Sequence, residues 1–471
     1  MKKIYINIRN AQSSVRTLLL GIVCLSAYAN IYAQNSQSGY FVDGYLYRHE
    51  INPAIANEQG YVALPAVGNI NVAMRGNIAF DNILRNVNGK TTTFLNPAVS
   101  ASDFMGNLSD VNKTMADIRI DVLSVGFKGL GGYNTFGVDV RSNAGINIPK
   151  SLFSLAKEGP QNQTYDIGDL SADANAYAEI AVGHSHRIND KLRIGVTLKF
   201  LLGGADMEAN FDKAQLTLGD NAYTAITNAT VNASMKGLTY KTETTERGPE
   251  GHKTPHTYVN DLDVDGTGLN GFGLALDLGA QYRLTEDWEL SASILDLGFI
   301  EWNNNMQAST NGDRQFTTNQ YIFNADDDAG NSFSKEFDRL GEGLAALYEL
   351  QDNGDKGKRT TGLAATFNLG ASYTLPSYKA LSFGLLNTTR MGKYGWTDFR
   401  LSANWAPARL FSASVSFAAG TYGTSFGWMA NFHPNGINLF LAMDRTMGQL
   451  AKQGLPLSGN AHFNMGLNIP F

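Results

Sequence analysis

The last nine residues constrain the fold more than any other stretch of this chain. They read Phe-Asn-Met-Gly-Leu-Asn-Ile-Pro-Phe from Phe463 to Phe471. A strand alternates its side chains with period two. Phe463, Met465, Leu467, Ile469 and Phe471 therefore share one face, and Asn464, Gly466, Asn468 and Pro470 the other. A soluble chain seldom carries so sharply sided a strand at its terminus. One apolar and one polar face is what the wall of a transmembrane barrel requires.

The other end agrees. Lys2, Lys3, Arg9 and Arg16 are the only charged residues before Gln34, and an apolar run, Thr17–Ala29, follows them. Small residues come next at Ala27, Ala29 and Ala33, which predicts a secretory signal peptide over 1–33, cleaved before Gln34. The run is too short for a spanning helix, which needs ~20 residues. The single cysteine, Cys24, follows Val23, which is not the small residue a lipidation signal would put there. Without the leader, 33 Lys and Arg face 43 Asp and Glu, a net charge of −10. That balance argues against a nucleic-acid partner. The mature chain then has no cysteine for disulfides, thiolate metal sites or cysteine nucleophiles.

Alternation places fourteen strands near 69–79, 117–128, 133–147, 174–187, 191–202, 269–284, 288–300, 362–375, 379–390, 396–405, 409–420, 424–433, 436–444 and 460–471. In one, Leu192, Ile194, Val196, Leu198 and Phe200 oppose Lys191, Arg193, Gly195, Thr197 and Lys199. In another, Leu363, Ala365, Phe367 and Leu369 oppose Ala364, Thr366, Asn368 and Gly370. The strand at 69–79 and the pair across 117–147 alternate less cleanly. The connections obey a parity: the long ones, 80–116, 148–173, 203–268, 301–361 and 445–459, all follow odd strands, and every connection after an even strand is short. Outer-membrane barrels put long loops outside and short turns in the periplasm. The expected fold is all-β: a transmembrane antiparallel barrel of about fourteen strands over 69–471, with long extracellular loops and a plug-like periplasmic or lumenal segment at 34–68. Lipid offers backbone groups no partner, so only helices or closed barrels span it, and closure also removes sheet edges. Trp288, Trp302, Trp396, Trp405 and Trp428 near strand ends suit interfacial girdles.

Ile51-Asn-Pro-Ala54, the count of fourteen and the terminal Phe471 resemble the superfamily of the long-chain fatty-acid transporter (FadL-type), which also includes the shuttle protein of the type IX secretion system. Leu95-Asn-Pro-Ala-Val-Ser100, the helix-like run Ser102–Asn112 and Ile294–Trp302 resemble a family of uncharacterised outer-membrane proteins of Gram-negative bacteria. Phe471 is similar to the terminal signal read by the barrel-assembly machinery. The resemblance implies an outer-membrane location in contact with lipid and passive transport of hydrophobic small molecules. It leaves, as a second reading, a non-transporting shuttle or complex subunit that holds secreted proteins. A transporter of this kind needs an apolar pocket, a plug and a lateral opening, and Tyr40, Phe41, Tyr45, Leu46, Tyr47 and Ile51 would line the pocket or simply fill the lumen.

Arg193, Lys199, Asp398, Arg400 and Asp444 fall on lumenal faces, where charges of both signs pair and rigidify a barrel. Asp261, Asp263 and Asp265, followed by Gly266, match the first half of a calcium loop. The twelfth position is Phe272 instead of glutamate, so the alternative is solvated loop charge. No other cofactor is expected. Asp326–Asp328 are contiguous and read as a solvated turn. Enzyme chemistry is not expected: Ser185 lies between His184 and His186 but on the opposite strand face, and His252 and His256 sit in a polar loop. Ser332 would cap an amphipathic helix over 332–352, whose apolar face should fold over the barrel's own mouth, though a partner or the outer leaflet could take it instead.

Overall fold

The computed structural model describes residues 36–78, 83–87, 90–159, 161–220, 222–247, 253–318, 333–445 and 460–471. The proposed leader, His252, Asp326–Asp328 and Ser332 lie outside them. Fourteen antiparallel strands close a ring. They are β1 (Ile70–Gly76), β2 (Val111–Gly129), β3 (Gly132–Pro149), β4 (Ser171–Arg187), β5 (Leu192–Leu218), β6 (Gly271–Arg283) and β7 (Trp288–Trp302). The ring continues through β8 (Thr366–Thr374), β9 (Leu381–Arg390), β10 (Trp396–Ala408), β11 (Phe411–Gly420), β12 (Gly423–Phe432), β13 (Asn438–Arg445) and β14 (Ala461–Pro470). Each pairs with the next, and β14 pairs back onto β1 with Ile70 opposite Met465.

The expected faces hold along most strands. Phe399 and Leu401 point outward and are exposed, while Asp398, Arg400 and Ser402 point inward and are buried. Phe200, Leu369, Leu385, Val415 and Phe417 continue the apolar outer belt. Among the described residues no helix is long and apolar enough to cross a membrane.

The strands that alternated poorly have local causes. The β1 ladder is broken: Tyr61–Ala63 pairs with β14 and β2 beyond an excursion at 64–69, then pairing resumes at Ile70. In β2 the register shifts between Asp121 and Leu123, and such a bulge puts neighbouring residues out of phase. The largest difference concerns 203–268, expected as loop. β5 runs 27 residues, far beyond the ~9–11 that span a bilayer, and Tyr223–Met235 pairs back along it. A hairpin, Leu238–Arg247 with Thr254–Val264, follows. This part of the sheet carries no continuous exposed apolar face, so the alternation that marks a lipid-facing strand disappears although the ladder continues.

Among the described residues three short α-helices sit on the end of the ring that carries the long connections, hereafter the loop end. They are α1 (Ala101–Gly106), α2 (Lys150–Glu158) and α3 (Phe333–Ala346). Ser100 caps α1 by accepting from Asp103 N–H at 3.3 Å. The run that resembled a helix to Asn112 is therefore helical only to Gly106, and Val111 already belongs to β2. The end of α3 is seated on the chain's own sheet, where Leu340 and Leu347 pack with Leu216, Ala225 and Phe316.

The outward face can be tested directly. Leu401→Arg should lower the unfolding free energy in lipid vesicles by ~2–4 kcal/mol, the cost of a cation on the lipid face near the bilayer midplane. A loss below ~1 kcal/mol would place that face at the interface or in water.

Candidate functional site

Residues 36–60 fold into the ring, from Asp43 and Gly44 at the turn end to Ser36–Ser38 beside Asp444 near the loop end of β13, and the wall receives them with side-chain donors. Ser412 and Asn438 donate to the carbonyls of Asp43 (2.6 Å) and Gly44 (3.0 Å). Ser293 and Asn368 donate to Ile51 O (2.6 and 3.2 Å), and Ser185 to Ala54 O (2.7 Å). The Asp444 carboxylate collects the other end of the segment, accepting from Ser36 Oγ, Gln37 N–H and Ser38 N–H at 2.7–2.9 Å. The polar face of the closing strand is used too: Tyr45 and Tyr47 donate their hydroxyls to Asn464 (3.0 Å) and Asn468 (2.7 Å).

The Ile51–Ala54 motif is the pivot of this packing. Asn52 Oδ1 accepts from Ala54 N–H at 3.0 Å, closing the turn, while Nδ2 donates to Tyr40 Oη and Ala280 O. The backbone presses against the wall so closely that a Cβ on Gly195 would lie 2.1 Å from Pro53 O. Tyr40, Tyr45, Leu46, Tyr47 and Ile51 are buried against Leu386, Met429 and Phe440 of the wall. Of the six aromatic and aliphatic residues expected to line a pocket or fill the lumen, five are filler, and only Ile51 also borders a cavity.

That cavity, about 310 Å³, lies above the segment toward the loop end. Small-molecule sites usually measure ~300–1,000 Å³. Its lining is layered. One layer is charged: Lys199 pairs with Asp277 (2.7 Å) and Asp296 (2.6 Å), and Arg141 with Glu179 and Asp296 (both 3.1 Å). Beside it Arg119 holds Asp139 (2.8 Å), Asp121 (3.3 Å) and Glu50 of the inner segment (2.7 Å). Two residues further out along the same strands stands an apolar layer. Tyr177 follows Glu179 on β4, Leu201 follows Lys199 on β5 and Ala275 follows Asp277 on β6. Ile300 and Trp302 complete it on β7. Tyr177 and Ile300 border the cavity, with Leu201, Ala275 and Trp302 behind them.

Asp296 reaches this layer through a bulge. The β6–β7 register shifts between Leu276 and Leu278, Asp296 takes φ +58°, and both Leu295 and Asp296 border the cavity. Opposite it the β8 ladder lapses at 363–365 before Arg359–Gly362 resumes pairing with β7. Leu363, expected on the lipid face, instead packs against the apolar layer and borders the cavity. The wall stays shut there, because Leu363 N–H donates to Gly298 O (2.9 Å) and Met391 N–H to Ala365 O (2.8 Å). The β1 excursion is bridged likewise, by Leu467 N–H to Val67 O and Asp121 N–H to Asn69 O.

The remaining sequence candidates separate. Asp398 pairs with Arg75 (3.2 Å) and Arg445 (2.7 Å) as expected, whereas Arg400 is held by hydrogen bonds to Ser416 (2.8 Å) and to the Asp444 carbonyl (3.3 Å). Arg193 stands outside these networks near the turn end of β5. Asp261 and Asp263 lie on the exposed hairpin, where Asp263 pairs with Lys241 at 3.2 Å. Asp265 follows at the hairpin's end, and among the described residues no group of three or more His, Cys, Asp or Glu side chains is arranged to hold a metal ion. His184 bonds Asn134 (2.9 Å), and His256 bonds Thr254 (3.2 Å) on the exposed hairpin. The sequence reading missed the Glu50–Arg119 link and the serine and asparagine donors. Their signal was present as small polar residues on the non-lipid face, but alternation does not say what such a face will touch.

A family model described as "Family of unknown function (DUF5723)" matches residues 53–444. No curated protein matches the sequence. Among solved structures the chain is similar to the toluene transporter TbuX of Ralstonia pickettii (9% identity, covering 89% of this chain and 91% of that one, TM-score 0.37). It is similar also to the toluene transporter TodX of Pseudomonas putida (8%, 91% and 93%, 0.37). A third is a Pseudomonas aeruginosa FadL homologue (10%, 94% and 98%, 0.39).

Two outcomes are expected at the inner segment. Asn52→Ala should cost ~1–3 kcal/mol, leaving buried groups of the turn without partners, and should open residues 40–60 to protease from the turn end. An unchanged digestion pattern would remove Asn52 as the pivot. Burial beside the rings of Tyr47 and Tyr61 pushes His49 down from 6.5 to about 4. The folded state therefore excludes a proton that the unfolded chain takes up. Stability should be constant above pH 6.5, fall as pH drops from 6.5 to about 4, and level off below. His49→Gln should flatten that window in an acid-unfolding series.

Proposed function

We propose that this protein, which belongs to the family of unknown function DUF5723, is an outer-membrane barrel that passes small hydrophobic molecules bearing a polar group. The long connections would face outside and the short turns the periplasm. One observation carries the reading: the apolar layer of Tyr177, Ile300 and Leu363 stands outward of the charged layer of Arg141, Lys199 and Asp296 in the same cavity. A molecule entering from the loop end passes the charged rim of Asp173, Glu208 and Lys393 and then meets a surface for its apolar body. It then meets donors and acceptors for its head group, the arrangement that small-molecule sites use to combine affinity with orientation. Residues 36–60 act as a plug below, so passage requires the plug to rearrange. Passage fits better than catalysis: Ser185, the serine between two histidines, commits its hydroxyl to Ala54 O. The alternative role in holding secreted proteins loses its clearest docking face, because the end of α3 is seated on the chain's own sheet.

The test uses the purified barrel in lipid vesicles and the entry rate of a labelled medium-chain alkyl carboxylate against a hydrophilic sugar of similar mass. The alkyl compound should enter faster. Ile300→Asp should slow it about tenfold or more while leaving the sugar unchanged, since an unpaired buried charge costs several kcal/mol. Equal entry of both probes, indifferent to Ile300, would identify a general pore instead.

A further inference from the structure

We propose that the connection between β9 and β10, residues 391–395, is a crossbar over the cavity, with Tyr394 setting the size of what enters and Lys393 acting as its latch. In purpose this rests on the transport reading above; in form it rests on geometry alone. A five-residue hairpin at the rim of a barrel would ordinarily stand clear of the lumen. This one turns inward, with Gly392 at φ +97°, and Met391, Gly392, Lys393 and Tyr394 all border the cavity.

The hairpin reaches the far wall. β3 and β9 lie six places apart in a ring of fourteen strands, close to diametrically opposed. The Tyr394 ring nonetheless lies directly on Gly145 of β3, and a Cβ there would come 2.3 Å from Cε2 and Cζ. Only a residue without a side chain admits the ring. Lys393 then fixes the hairpin across the gap. Its Nζ reaches Asp173 of β4 (3.2 Å), with Asn210 (3.2 Å) and Glu208 (3.8 Å) of β5 beside it. Its carbonyl accepts from Lys113 Nζ of β2 at 3.0 Å. At the base of the hairpin Arg390 pairs with Asp117 of β2 at 2.8 Å.

These contacts differ from those of the plug. Lys393 and Asp173 keep about a third of their side-chain surface, so the latch is wetted and worth little enough to open. The ring beneath it is the more buried part, its hydroxyl beside the Asp173 carboxylate. A narrow molecule can pass beside a planar ring that a bulky one must displace. Residues 391–395 therefore discriminate by cross-section, and the layers below discriminate by polarity.

The test is a single cysteine beneath the crossbar. Thr366 borders the cavity on β8, opposite Arg390 and one step inside the hairpin. Thr366→Cys is placed in the otherwise full chain with Cys24→Ala, and intact cells are exposed to a small and a bulky thiol reagent. Tyr394→Ala should speed the bulky reagent about tenfold, equivalent to ~1.4 kcal/mol, and the small reagent far less. Tyr394→Phe should behave as the parent, and Lys393→Gln should speed the bulky reagent in high and low salt alike. If Tyr394→Ala does not yield the heat-modifiable folded band, Lys393→Gln decides in its place. Bulky-reagent rates unchanged in folded variants overturn the crossbar. Alkyl carboxylate entry that is absent from every variant, with labelling still responding to Tyr394, would overturn the transport reading and leave the crossbar standing.

Discussion

A ring of fourteen strands is too wide for its inward side chains to fill the middle, although long ones such as Arg390 and Asp117 meet across it. About eight strands make an interior that side chains alone can fill, and porin-sized rings leave a water channel. This constraint governs the rest of the molecule. The turn end is filled by a separate stretch of chain, residues 36–60, whose backbone must then be satisfied inside the wall. The inward faces of β4, β7, β8, β11 and β13 supply donors for that backbone through Ser185, Ser293, Asn368, Ser412 and Asn438. They are short side chains, as they must be where the filling chain lies against the sheet.

Where the filling stops, charge takes over. Arg119, Arg141 and Lys199 face Glu50, Asp121, Asp139, Glu179, Asp277 and Asp296, so each cation serves two or three carboxylates. Such a group is costly to disturb, because removing one member strands the others without compensation in a buried site, a loss of ~3–5 kcal/mol for a broken pair. Glu50 belongs to the inner segment and the rest to the wall, so the floor of the cavity and the filling chain form one electrostatic unit. Any rearrangement that clears the turn end has to break or replace the Glu50–Arg119 pair at 2.7 Å.

The fold was legible because lipid imposes one rule on every strand. Leu198, Leu369 and Leu401 declare themselves by alternation, and the connection parity orders the ends. The site was not legible, for three separate reasons. Alternation labels Ser293 and Lys199 equally as inward, yet one binds the filling chain and the other lies in the charged layer under the cavity. A bulge changes phase without any residue type that announces it, which is how Asp296 and Leu363 come to border the cavity. Contacts across the lumen, such as Tyr394 on Gly145, join positions 249 apart in sequence that no local pattern connects. The Ile51–Ala54 motif signalled a turn, since Asn before Pro favours one, but not that the wall would bind the carbonyls of Ile51 and Ala54.

The two ends of the lumen are closed by different kinds of bond, and this fixes which end moves first. At the turn end the wall holds backbone carbonyls with neutral, buried donors, and those bonds do not weaken with salt. At the loop end Lys393 holds Asp173 and Glu208 through side chains that water still reaches. Exposed pairs of that kind contribute ~0–1 kcal/mol and are screened within ~8–10 Å at physiological ionic strength. On the crossbar proposal the loop end would open before the turn end, once the mostly buried Arg390–Asp117 pair at the base of the hairpin gives way. The cavity would then exchange with the side of the long connections before any movement of the chain beneath it. A ligand that draws Arg119 away from Glu50 would supply the energy for that second step, since it replaces the carboxylate it displaces.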